Sequence, residues 1–215
     1  MCNILSLSGV HNMVGILYYF LFLIIGFFYA DLYFKDKDLY FRIWSGGLIG
    51  NLGLMAGIVP FAFLLDFTVL SHGLLLVVFA APCAYLLFRR GDFGARLRSL
   101  GRREETPAVT HAVFIGLILP AAAVIWILLT NHIMAPYAGG GIASGQSTYG
   151  DLAMHMGFVT SIAEQQQFPP MYNQLAGVRL NYPFLIDSLS SSLYLLGTGL
   201  RTALLVQAMC LLCFW

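Results

Sequence analysis

The chain has 215 residues, of which 59% are hydrophobic and only 10% charged, with a formal net charge of +1. Soluble domains carry about 25% charged residues, so a composition this apolar, with a mean hydropathy of +0.80, excludes an ordinary water-soluble fold and reads as a polytopic membrane protein. The near-neutral balance, with six of the nine arginines in one loop that lacks the clustered basic surface and stacking aromatics needed, gives no case for nucleic-acid binding.

From Met13 to Ala30 the run MVGILYYFLFLIIGFFYA has no charge over 18 residues, close to the roughly 20 that cross about 30 Å of hydrocarbon. Residues 1–12 contain no Lys or Arg, so this run reads as a first span and not as a signal peptide. The loop DLYFKDKDLYFR follows, and Trp44 to Phe63 forms a second span in which Gly46, Gly47, Gly50, Gly53 and Gly57 allow close helix approach. Pro60 marks a kink or exit. A short link at Leu65 and Asp66 leads to a third span, Phe67 to Phe88, so spans two and three form a tight hairpin.

Residues 89–111 carry six arginines, Arg89, Arg90, Arg96, Arg98, Arg102 and Arg103. Basic loops are retained in the cytoplasm, which places loops 89–111 and 31–42 inside and the N-terminus outside; the arginines also suit anionic lipid headgroups. The fourth span, Ala112 to about Thr130, contains Pro120, where loss of a backbone bond predicts a kink. The stretch NHIMAPYAGGGIASGQS reads as a flexible linker opening an outer loop over 131–186. Apolar character returns from Phe184 and again after Arg201, which brings the total to about six spans of an all-α bundle. The chain stops in mid-hydrophobe at ALLVQAMCLLCFW, as a fragment of a longer protein would. Cys2, Cys83, Cys210 and Cys213 lie at the N-terminus or in apolar segments, and the CxxC at 210–213 has no polar ligand nearby, so these read as lipid-facing or core thiols and not as a metal or redox pair.

The outer loop holds the chemistry. Thr148 and Asp151 fit a capping box, which predicts a helix from Tyr149 to about Gln165, ended by the Gln run and Pro169-Pro170. Leu152, Met156, Val159 and Ala163 form one stripe, with Thr160, Ser161, Glu164 and Gln165 roughly opposite, as in an amphipathic helix lying in the interface. Asp151 and His155, four apart, share a face with Phe158 and Ile162. A carboxylate beside an imidazole there suits general base work; the plainer use of Asp151 is as a cap. Arg179 and Tyr182 precede the next apolar segment, and an arginine so placed can grip a phosphate or snorkel to headgroups. Asp187, followed by Ser188, Ser190, Ser191 and Ser192, must face the bundle or a polar cavity. Glu164 falls on the solvated side.

The motifs GDLAMH, FPPMYNQLAG and NYPFLIDSLS, in that order after a span, resemble the GT-C glycosyltransferases that use polyprenyl-phosphate sugars, over about Ala112 to Leu200. The first three spans, 1–111, would then be an N-terminal addition to a region 112–215 that begins the family fold. The resemblance implies a catalytic base at Asp151, with His155 orienting it or sharing its proton, and donor or acceptor contacts from Arg179, Tyr182, Asp187 and Glu164. It implies a lipid-linked sugar donor, an acceptor of unknown identity and no redox cofactor. Some branches bind a divalent metal through paired acids, where this chain has Asp-Leu. The family fold has further spans that complete the donor site, so this chain alone would be inactive. Two other readings use the same residues: a transporter with Asp187 and its serines lining a midplane path, and a non-catalytic assembly subunit.

Overall fold

The computed structural model describes residues 4–91, 94, 107–137, 141–145 and 148–214. Arg96, Arg98, Arg102 and Arg103 of the basic loop, Cys2, and residues 138–140 and 146–147 of the linker lie outside the described residues. The chain is 75% helical. Helix α1 runs Ile4–Tyr33, and α2, Leu39–Met55, starts at Asp38, whose carboxylate accepts from the Phe41 amide at 2.9 Å. Helix α3, Ile58–Leu65, continues the path of α2 after a break at Ala56 and Gly57. Pro60 explains the break: it has no N–H to offer the Ala56 carbonyl, which instead accepts from Val59 at 3.3 Å.

Helix α4, Val69–Arg90, begins with a capping box between Thr68 and Ser71 and ends at Gly91 with φ 65°. Helix α5, Ala108–Val113, passes into a π-helical turn at Phe114–Ile118, then α6, Leu119–Leu128, and a second π turn at Leu129–Ile133. Pro120 sits just after the first π turn, the wider winding expected where a proline interrupts the hydrogen-bond ladder.

Four helical paths are long and apolar enough to cross a membrane: Met13–Tyr33, Leu39–Leu65, Val69–Arg90 and Ala108–Ile133. The two further spans expected after Phe184 correspond to α8, Leu185–Leu195, and α9, Leu200–Phe214. Helix α8, at 11 residues, falls short of the roughly 20 needed, and α9 has 15 described residues; four candidate spans are found among the described residues. The expected flexible linker is partly ordered: β1, Met134–Pro136, pairs antiparallel with β2, Ile142–Ser144. Helix α7 spans Tyr149–Gln165, with the bounds its sequence suggested.

Helices α1 and α2 touch backbone to backbone. A Cβ on Gly46 would lie 2.5 Å from the Phe27 Cα, and one on Gly50 would lie 2.5 Å from the Phe22 carbonyl oxygen. Glycines four apart on α2 are therefore what allows the crossing. Above it, Phe22 stacks on Phe79 of α4 at 4.9 Å, and Tyr19 donates to Asn51 at 2.9 Å. The main core combines Tyr19, Phe22, Leu54 and Ile58 with Phe158, Ile162, Leu189 and Leu193. Residues before and after position 112 thus share one core, and α7 and α8 are part of it.

Candidate functional site

Helix α8 enters the bundle interior because its polar residues find partners there. The Ser188 hydroxyl reaches the Leu185 and Met55 carbonyls, Ser191 donates to the Asp187 carbonyl, and the Ser192 hydroxyl, 2.7 Å from the Ser188 carbonyl, shares its one proton between that oxygen and His72. Ser190 contacts Gln207 of α9 and the Ala203 carbonyl. His72 of α4 has Nδ1 at 2.7 Å from the Thr68 carbonyl oxygen, which can only accept, so Nδ1 carries the proton; its Nε2 lies 2.8 Å from the Ser192 hydroxyl. The four serines are fully buried and join α8 to its neighbouring helices.

Asp187, at the start of α8, is 1% exposed, and both of its carboxylate oxygens lie 3.0 Å from Nδ1 of His155 on α7. Helix α7 reaches this contact because Phe158 and Ile162, one and two turns on, are buried in the core, which aims the 155 position at the head of α8. An ionised carboxylate only accepts, so Nδ1 carries the proton and Nε2 is left as a basic nitrogen. The His155 side chain is 35% exposed, and Nε2 has no hydrogen-bond partner among the described residues. Tyr182 and Phe158 stand edge-on to the imidazole at 5.9 and 6.0 Å. Burial raises the Asp187 carboxyl above its usual value, and the hydrogen bond and charge of His155 pull it part of the way back.

Thus His155 takes Asp187, 32 residues away in sequence, as its carboxylate partner, in place of Asp151 on its own helix. Asp151 is exposed one turn before His155, and among the described residues it makes no hydrogen bond or ion pair. The capping box expected from it is not formed: Thr148 makes no side-chain cap, because its hydroxyl bonds the Gly145 carbonyl and the Ser144 hydroxyl. The helix is also less amphipathic than expected. Val159 and Ala163 are buried on one side and Phe158 and Ile162 on another, while Thr160 and Ser161 are half-buried.

No protein-family model, curated protein or solved structure matches the chain. The site therefore has to be read from its own geometry, and the loop beyond α7 supplies the rest of it. Gln166 ends the helix with φ 47°, and the Gln165 amide clamps Met171, accepting from its N–H at 2.8 Å and donating to its carbonyl at 3.1 Å. A short hairpin follows, with Leu180 donating to Pro170 and Tyr172 to Val178. Arg179 is exposed on this hairpin, opposite Met171. The loop is fastened to the α3–α4 turn by Asp66, whose carboxylate accepts from the Phe168 amide at 2.9 Å, and by the rings of Phe63, Phe168 and Phe184.

Asp66 holds φ 60° and ψ 176°, a region occupied almost only by glycine, at a cost of about 1–3 kcal/mol. In the sequence Asp66 reads as a plain link, although an acid in the tightest turn between two candidate spans is itself a signal. Arg201 was also missed as an anchor. It donates to the Met134 and Thr130 carbonyls at 2.7 and 2.9 Å, fixing α9 to the end of the fourth span.

Glu164 is on the opposite side of α7 from His155, nine positions on. It adjoins a 330 Å³ cavity lined also by Gln166, Tyr194 and Gly197. Burial raises the Tyr194 hydroxyl's pKa, and Glu164 adds to the effect. The structure therefore groups His155, Asp187 and Tyr182, leaves Asp151 and Arg179 exposed nearby in sequence, and separates Glu164. Among the described residues no three His, Cys, Asp or Glu side chains are grouped as metal ligands.

Proposed function

We propose that this chain is an integral-membrane glycosyltransferase, or the N-terminal part of one, that takes its sugar from a polyprenyl-phosphate donor on the side of the membrane where loop 166–184 lies. The observation that carries the reading is the His155–Asp187 pair, a half-exposed imidazole backed by a buried carboxylate. His155 Nε2 takes the proton of the acceptor hydroxyl while Nδ1–H is held by Asp187. The acceptor oxygen bonds to the anomeric carbon as the bond from that carbon to the phosphate oxygen breaks, and both electrons leave with the polyprenyl phosphate. Asp151, one turn away, orients the acceptor. Tyr182 offers a ring face to the sugar, and Arg179 meets the donor phosphate.

The test uses the protein in lipid nanodiscs with a labelled polyprenyl-phosphate hexose and follows release of sugar to acceptor or water. His155→Ala is expected to lower turnover by about 10²-fold or more, the usual contribution of general base catalysis, and Asp151→Asn by less. Arg179→Gln is expected to raise KM more than it lowers kcat. Equal turnover in wild type and His155→Ala would remove His155 from the chemistry. Absence of turnover by the wild-type chain with every such donor would remove the reading that this chain transfers sugar by itself, and the same substitutions would then be tested in a longer parent protein.

A further inference from the structure

On the opposite end of α4 from Asp66, helices α1 and α4 pack together, with Cys83 Sγ 3.9 Å from the Ile25 carbonyl oxygen, and an apolar surface groove of 460 Å³ runs along their seam. Its walls are Ile24, Ile25 and Phe28 on α1 and Cys83, Ala84 and Leu87 on α4. Each set follows helical spacing, so the next position along the α1 wall is Leu32 and the next along the α4 wall is Arg90. These two residues meet: Arg90 Nη1 donates to the Leu32 carbonyl at 3.0 Å. An exposed guanidinium is thereby fixed across the end of an apolar slot, with its other N–H groups free of that bond. Asp31, next to Leu32, is held by Arg42 at 2.7 Å, so its charge is already compensated and does not compete for Arg90. Arg89 adds a second exposed positive charge at the same end.

We propose that this groove binds one acyl chain of an anionic phospholipid whose phosphate is gripped by Arg90. The slot is lined by two membrane-spanning helices and is apolar along its length, which suits a hydrocarbon chain. From Ile24 to Leu32 it runs about 12 Å along the helix, the upper part of a fatty-acyl chain. The guanidinium fork at its end matches a phosphate through paired N–H bonds. The occupant is a bilayer lipid and not the proposed sugar donor, because the length of α4, about 33 Å, separates this end from loop 166–184.

Native mass spectrometry of the full chain, released from nanodiscs containing equal phosphatidylglycerol and phosphatidylethanolamine, provides the test. The wild type is expected to retain one phosphatidylglycerol in preference to phosphatidylethanolamine. Arg90→Gln is expected to abolish the preference, whereas Ala84→Trp, which fills the slot but keeps the bond to Leu32, is expected to reduce retention of both lipids. Equal retention of the two lipids by the wild type would overturn the proposal. So would a preference that survives both substitutions in protein that remains monodisperse.

Discussion

Asp187 shows how a single buried carboxylate couples the candidate site to stability. Its folded pKa is raised above the ordinary 3.8, by burial first, with His155 acting in the opposite sense. The folded chain therefore keeps a proton on Asp187 at pH values where the unfolded chain has lost it, and stability falls as pH rises from about 3.8 through the raised value. Asp187→Asn has no proton to lose. Thermal unfolding of the detergent-solubilised protein between about pH 3 and pH 7 is expected to show this decline in the wild type and a flatter profile in Asp187→Asn. A profile identical in the two proteins would mean that Asp187 does not titrate differently on folding. The sequence made both members of the pair visible separately, His155 as an imidazole on a helix face and Asp187 as an acid in an apolar segment. It did not join them, because helical spacing reports neighbours within one helix and says nothing of which helix lies across from it.

At the level of elements, hydropathy was enough to find the four helices long and apolar enough to span a membrane and the glycines of α2 that let α1 approach. The substitution Gly50→Ala should separate these helices, since the new Cβ would stand 2.5 Å from the Phe22 carbonyl oxygen, a backbone atom that can move only with its helix. Overpacking of this kind costs about 1–3 kcal/mol, read as a lower unfolding temperature in detergent. Gly73→Ala is the matching control: it also lies in a helix, but its added Cβ meets nothing within 4 Å, so it should be stabilising by about 0.4–1 kcal/mol. Equal effects of the two changes would refute close packing at Gly50. Other elements were not legible. The π turns around Pro120 depend on how the ladder adjusts locally, and the β1–β2 pairing occurs in a stretch whose glycines read only as flexibility. The loop beyond α7 takes its form from Gln165, a side chain that imitates a strand by bonding both polar groups of Met171.

For the whole molecule, the contacts divide the connections into two sets without reference to any membrane. The Asp66–Phe168 bond joins the α3–α4 turn to loop 166–184. At the far end of α4, Arg90 meets Leu32, and Tyr40 bonds His111 at 2.9 Å, which brings the two basic connections together. Sidedness is then a single choice to be tested, and basic loops are generally retained inside. In a background whose four cysteines are replaced by alanine or serine, Gln174→Cys and Asp36→Cys test it with a membrane-impermeant thiol reagent. In intact cells Gln174→Cys is expected to label and Asp36→Cys to label only after permeabilisation. The reverse pattern would invert the molecule, moving the proposed sugar site inside and the proposed phospholipid groove to the outer leaflet, while labelling of both from one side would contradict the packing itself.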